Sequence, residues 1–259
     1  MSNLQLHHYD LGQGVTAFST TRHGGVSEGN YGSFNINAYC GDDSSHVQHN
    51  CELLATELGI EAGRIVMPHQ THGIDARAIA PEFFSLPISI QAQILDGVDI
   101  VMTDMAGVCI GVSTADCIPV LLYDAQHHVA AAVHAGWRGT LQRVCMRAVH
   151  AMQVQYGVSP TQLKAVVGPG ISLAHFEVGQ EVYDQFAQAG FDLSDTAVMY
   201  DKWHLDLPRI NISQLTDTGI AAHNIFNADI CTYDHVADYF SARRLGISSG
   251  RIYTGILLR

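Results

Sequence analysis

The sequence predicts an α/β protein of the α+β type, with antiparallel or mixed sheet rather than the regular alternation of a doubly wound fold. Three observations carry this. Short strand-like runs follow one another between residues 98 and 133, too closely for crossover helices. Amphipathic helical patterns flank that block on both sides. The 259 residues are 47% hydrophobic with no internal repeat, low-complexity stretch or linker, so residues 1–259 read as one domain around an ample core.

Residues 12–17, GQGVTA, have the form of a dinucleotide fingerprint, but FSTTRHGG after them does not read as the helix that would hold a pyrophosphate. Residues 15–20 read as a strand leading into a glycine-rich loop, where Arg22 could fork onto an anion and Asn35 could read a polar ligand. Asp42, Asp43 and Ser44 offer an N-cap. Val47, Cys51, Leu54 and Leu58 then fall at helical spacing before Gly59. Residues 64–68 form a short strand entering HQTHG, which carries His69 and His72. Residues 81–95 have no clear period. Strands are expected at 98–103, 108–112, 118–123 and 129–133, the last two joined as a hairpin by a polar turn. A helix follows in which Leu141, Val144, Cys145, Ala148 and Met152 make one apolar face, ending at Gly157; its N-terminus beside Arg138 could hold an anion such as phosphate. Beyond it lie a strand at 164–167, a helix placing Val178, Val182 and Phe186 on one face, a helix at 212–223, and strands at 225–230 and 251–258. Arg243 and Arg244 form the densest positive cluster.

The hairpin carries the chemistry. Facing residues in an antiparallel pair have position numbers that add to a constant, and a turn centred near Ala125 and Gln126 puts Cys117 opposite His134 (117 + 134 = 251). Facing Cβ atoms lie about 4.5–5.5 Å apart, and a metal with bonds of about 2.0–2.3 Å can bridge such a pair. A slip of one residue would send one of the two to the opposite face. With a third histidine, His69 or His72, the pair makes a Cys-His-His zinc site with one open position; such an ion brings bound water to a pKa of about 7. Spacing does not choose between the two histidines. Without a metal, Cys117 and His134 are a nucleophile and base with Asp116 to orient them, as in a cysteine hydrolase.

Lys and Arg number 13 against 25 Asp and Glu, and the resulting charge of −12 argues against nucleic acid or an anionic membrane as partner and for a small molecule. No apolar run is long enough to span a bilayer and the start lacks signal-peptide features, so a soluble, cytoplasmic protein is expected. Six cysteines without a CxxC read as reduced thiols, and fifteen histidines favour metal or acid–base chemistry.

The segments FSTTRHGG, FNIN, QTHG, TADCIPVLL, HAGWRG, GPGISLAHFEVGQEV and YFSARR resemble, in order and over nearly the whole chain, the YfiH/YlmD type, the laccase-domain family of purine nucleoside phosphorylases. Ala242 stands in YFSARR where an aromatic residue is expected. The resemblance implies a single-domain fold of layered mixed sheets and helices. It also implies zinc, with copper possible, held by His72, Cys117 and His134, which sets His69 aside. The implied activities are phosphorolysis of adenosine, inosine, guanosine and methylthioadenosine, and deamination of adenosine. A purine nucleoside and phosphate would be the partners of a monomer or small homo-oligomer. On this reading Asp116 handles protons beside the ligands, and Arg22, Arg138 or Arg243 holds phosphate. The alternatives are a single-copper polyphenol oxidase, or a metal-free Cys-His hydrolase acting in peptidoglycan precursor fidelity.

Overall fold

The computed structural model describes residues 4–259. In its first half the strands are β1 (Leu6–Tyr9), β2 (Val15–Thr20), β3 (Ile65–Val66), β4 (Ala76–Ala78), β5 (Ile100–Thr103), β6 (Cys109–Thr114), β7 (Ile118–Asp124) and β8 (Val129–Ala135). The second half adds β9 (Lys164–Val167), β10 (Glu177–Val178), β11 (Ala197–Met199), β12 (Trp203–Leu205), β13 (Ile225–Asn227) and β14 (Ile252–Leu258). The helices are α1 (Ser44–Leu58), α2 (Ile88–Leu95), α3 (Trp137–Leu141), α4 (Val144–Tyr156), α5 (Gln180–Gln188), α6 (Leu207–Asp217) and α7 (Ala242–Leu245). None of the described helices is long and apolar enough to cross a membrane.

Two mixed sheets are stacked between helices. One has five strands in the order β1-β2-β14-β6-β3, the other six in the order β13-β9-β7-β8-β5-β4; a small sheet, β10-β12-β11, completes the fold. The period of two sorts side chains into layers. Ala17, Ile110, Val112 and Ile256 of the five-stranded sheet meet Val101, Leu121, Tyr123, Ala130 and Ala132 of the six-stranded one. On the outer face of the six-stranded sheet, Ile118, Val120, Leu122, Ala131 and Val133 pack on Val144, Ala148 and Met152 of α4 and on Ile210 and Leu215 of α6. Phe18, Cys109, Tyr253 and Leu257 turn the other way, toward Leu54 and Leu58 of α1. The central strands β5 to β8 are buried at every position, so they read as continuous apolar runs rather than as alternation.

Local chemistry explains where the elements stop. The Asp43 carboxylate accepts from Ser45 N at 2.8 Å to cap α1, and Gly59 ends it in the left-handed region at φ 67°. The single helix expected after His134 is two helices: Arg143 takes φ 62° and separates α3 from α4. Residues 81–95 form a 3-10 turn (Pro81–Ser85) followed by α2, seating Phe83 and Leu95 in the core between the sheets. The helix expected at 212–223 begins earlier, because Asp206 caps it and Pro208 occupies its first turn.

The hairpin is present with a different register. Asp124 pairs with Val129 and Pro119 with His134, so facing numbers add to 253, as in 119 + 134. The turn is therefore centred one position later than expected, and Cys117 lies one step before β7, diagonal to His134. A shift of two preserves the face. His134 stays on the side of Ala130 and Ala132, and Cys117 on the side of Leu121 and Tyr123, so both sit at the edge of the space between the sheets.

Gly111 of β6 pairs with Gly255 of β14, and a Cβ at Gly111 would stand 2.3 Å from Tyr253 Cζ. Tyr253 is fully buried and donates from its hydroxyl to Val66 O at 3.1 Å. Gly111→Ala is therefore expected to cost about 1–3 kcal/mol in urea unfolding by overpacking. Unchanged stability would show that this ring has room to move.

Candidate metal centre and cavity

Three chain segments converge at the edge of the two sheets. His134 comes from β8, Cys117 from the turn between β6 and β7, and His72 from the loop between β3 and β4. One ligand atom from each lies within 4.8 Å of the others. The two imidazoles meet edge to face with centroids 4.8 Å apart. His134 is buried, Cys117 half-buried and His72 exposed, so the cluster is open on the His72 side.

A residue that sequence reasoning missed holds this together. Asp99 is fully buried, and its Oδ1 faces His134 Nδ1 at 2.6 Å. The same carboxylate accepts from the amides of Thr71 (3.3 Å), His72 (3.1 Å) and Gly73 (2.7 Å). It thereby sets both the ring of one histidine and the backbone of the other. With Nδ1 engaged, Nε2 is the His134 nitrogen left for the cluster, an orientation that carboxylates commonly impose on metal-binding histidines. The available signal was an acidic residue inside the apolar run VDIVMT, since a carboxylate buried in a strand must have partners.

Two backbones at the site are left-handed, His72 at φ 65° and Asp116 at φ 89°. Such conformations cost about 1–3 kcal/mol each and persist only where neighbours enforce them. Asp99 enforces the first. For the second, the Asp116 carboxylate accepts from Thr232 Oγ1 at 2.8 Å and Arg243 N at 2.6 Å, and its carbonyl from Ile171 N at 2.8 Å. Gly136 supplies the space: a Cβ there would stand 2.8 Å from His72 Cδ2 and 3.0 Å from Cys117 Sγ.

Without a metal the trio is a charge pair. Desolvation alone would raise the Cys117 thiol, but His134 and His72 outweigh it and bring the pKa down to about 6. For His134 desolvation works downward, and the Cys117 thiolate and Asp99 lift it to about 9. A thiolate and two imidazoles, one of them fixed by a carboxylate, are the donor set of a three-ligand zinc site, and they suit copper as well.

The trio floors a cavity of about 340 Å³. Its walls include Asn37, Tyr39, His69, Gln70, Thr114, Ala242, Ile247 and Arg251. His69, the competing histidine, lies on Tyr39 with ring centroids 4.3 Å apart, and its Nδ1 faces Asp96 Oδ1 at 2.6 Å. The Gln70 amide is clamped on both backbone groups of Ser113, at 2.8 Å each. Thr114 Oγ1 is buried and, among the described residues, lacks a hydrogen-bond partner. A larger cavity of about 840 Å³ lies around Asp192, Asp206 and Asp229; its lining contains neither cysteine nor histidine.

The other expected site residues do not line the smaller cavity. Arg22 donates to the carbonyls of Gly32 and Val236 at 2.8 Å and covers Phe240. Asn35 is fully buried, its amide donating to Asp42 at 2.8 Å and its carbonyl accepting from Arg251 N at 3.1 Å. Arg138 lies over the Trp137 ring at 4.3 Å. The helix start beside it belongs to the five-residue α3 rather than to the long helix expected there. Arg243 donates from its guanidinium to the carbonyls of His175 and Glu177 at 3.3 and 3.1 Å. The arginine on the cavity wall is Arg251, whose guanidinium also ties the carbonyls of Ile247, Ser249 and Gly250.

A family model described as multi-copper polyphenol oxidoreductase laccase matches residues 16–259. The chain is 42% identical over 247 residues to a purine nucleoside phosphorylase of Bacteroides thetaiotaomicron, covering 94% of this chain and 92% of that one. It is 41% identical over 247 residues to an adenosine deaminase from an unknown prokaryotic organism, covering 94% of each. Among solved structures, YlmD from Geobacillus stearothermophilus superposes with a TM-score of 0.89 at 30% identity, over 95% of this chain and 93% of that one.

The geometry yields two expectations. Asp99→Asn and Gly136→Ala should each retain the fold by circular dichroism and lose zinc about 10–100-fold more readily on dialysis; full retention by both would dissociate these residues from metal holding. In metal-stripped protein, alkylation of Cys117 should accelerate as pH rises through about 6, where the thiolate forms. A rate that rises only near the ordinary thiol pKa, with Cys117→Ala as blank, would contradict the charge pair.

Proposed function

The chain belongs to the multi-copper polyphenol oxidoreductase laccase family, and on that footing we propose that it is a zinc-dependent enzyme of purine nucleosides, cleaving them with phosphate and deaminating adenosine. One observation carries the reading: a thiol and two imidazoles converge, open on one side, at the floor of a cavity sized for a small ligand. Relatives named for each of the two activities support that substrate class.

His72, Cys117 and His134 would hold the metal, and a zinc there supplies a Lewis acid and water that ionises near neutrality. The remaining work belongs to the chain. Asp99 keeps His134 in one tautomer. Asp116, engaged by Thr232 and the Arg243 amide, acts by positioning Cys117. The stacked Tyr39–His69 pair offers a flat surface for a purine at the cavity wall. His69, its Nδ1 facing Asp96 Oδ1, stands on the cavity wall where it would pass a proton to a departing base. Thr114 Oγ1 gains the partner it lacks when a ribose hydroxyl enters, recovering the cost of about 1–3 kcal/mol of a buried unsatisfied group. Arg251 is the wall residue whose charge suits phosphate.

The family description names several coppers, and the donor count favours nucleoside chemistry over that. Multicopper oxidation needs a histidine-rich set of copper sites, whereas Cys117 is flanked by Asp116 and Ile118. Among the described residues two clusters of three donors exist, with three histidines between them.

Purified, zinc-loaded protein should convert inosine and phosphate to hypoxanthine and ribose 1-phosphate, and adenosine to inosine. Cys117→Ala should remove the metal equivalent held with His72 and His134 and abolish turnover together. Absence of hypoxanthine at every metal loading would sink the phosphorylase reading, and activity that survives zinc removal but not alkylation would favour the cysteine hydrolase.

A further inference from the structure

The trio of His72, Cys117 and His134 is one of two donor clusters among the described residues. The other consists of His175, Cys231 and Asp234, whose ligand atoms also lie within 4.8 Å of one another. His175 precedes β10, in the segment that follows β9, while Cys231 and Asp234 stand three apart in the turn after β13. That turn is wound like a helix, since His235 N donates to Cys231 O at 3.0 Å, and residues three apart on such a turn project to the same side.

The donors are placed by rigid contacts. Cys231 bridges Gly170, with Thr232 N donating to Gly170 O at 3.0 Å and Gly170 N to Ile230 O at 3.1 Å. His175 lies flat on Tyr233, centroids 4.2 Å apart and planes 20° from parallel. Its Nε2 is thereby turned to Asp234 Oδ1 at 2.7 Å. A hydrogen-bonded imidazole and carboxylate with a thiol beside them are three groups that a metal ion can take over by displacing a proton.

We propose that His175, Cys231 and Asp234 form a second divalent transition-metal site that takes zinc, separate from the His72, Cys117 and His134 cluster. A thiolate, an imidazole and a carboxylate are zinc ligands, and three of them leave a fourth position for water. Magnesium and calcium demand oxygen donors and are excluded. Two cations stand nearby: Arg243 donates to His175 O at 3.3 Å, and Arg244 donates to Tyr233 O at 2.8 Å and lies 5.1 Å from the Tyr233 ring centroid. The second site is linked to the first, because Thr232, between the two ligands of the turn, donates to Asp116, and Asp116 precedes Cys117.

Full-length Cys117→Ala, which lacks the thiolate of the first cluster, is titrated with cobalt(II) and followed by thiolate-to-cobalt charge-transfer absorption. The band should appear, and should vanish in Cys117→Ala/Cys231→Ala. Zinc content at saturation should be two equivalents in wild type and one in Cys231→Ala. Asp234 is about half exposed (52%), so Asp234→Ala should fold normally and weaken cobalt binding in the Cys117→Ala background by about tenfold. One zinc in wild type, no charge-transfer band in Cys117→Ala, or an unchanged cobalt affinity in Asp234→Ala would each overturn the second site.

Discussion

A buried carboxylate with no partner would cost many kcal/mol and would instead be protonated. Asp99 avoids this by collecting an imidazole nitrogen and three backbone amides, and the donors it gathers belong to separate parts of the chain. Its own main chain participates too, since His134 N donates to Asp99 O at 2.8 Å. The result is a joint between β5, β8 and the loop at residues 71–73. Desolvation pulls the Asp99 pKa upward, but His134 and the loop amides prevail and keep it below the ordinary carboxylate range. Everything at the donor cluster depends on that joint: the tautomer of His134, the left-handed backbone of His72, and through them the convergence on Cys117.

The layered fold serves the joint by supplying immobile walls. Strands β5 to β8 are buried along their whole length, so Asp99 and His134 sit against a framework that cannot relax around a misplaced group. The loops carry the variable part. Asn37, Gln70 and Arg251 each anchor a loop end around the cavity, by hydrogen bonds to Ser113 or to the carbonyls of residues 247–250. Ala242 lies on this wall where an aromatic residue was expected, so the cavity has space there that a ring would fill.

Legibility in the sequence followed the length of the signal. The fully buried, largely apolar runs of β5 to β8, the capped α1 and the strand β9 are readable because burial on both faces or a cap leaves a local mark. The short strands β4, β10, β11 and β12, at two or three residues each, leave none. Register came out two positions off because the position of the turn is set by the Asp124 side chain, which accepts from Gln126 N and His127 N, and no periodicity encodes that. Cys117 and His134 were legible as a pair through parity; Asp99 was not, because its partners come from residues 71–73 and β8. The arginines mislead for a related reason: guanidinium groups serve ligands and backbone carbonyls equally well, and Arg22 and Arg243 serve carbonyls.

The graded burial of the three donors implies an order of events for the proposed metal site. Cys117 and His134 stand 17 positions apart (134 − 117) across one hairpin, so their encounter requires only a local closure. His72 arrives from a loop elsewhere in the sequence and remains exposed. An ion held as proposed would meet the hairpin pair as a half-built chelate and be completed by the loop, and would leave in reverse, the solvent-facing imidazole letting go first. The histidine at the mouth would then act as a latch and the hairpin as a fixed seat, with the loop, rather than the sheet, governing how fast such an ion exchanges.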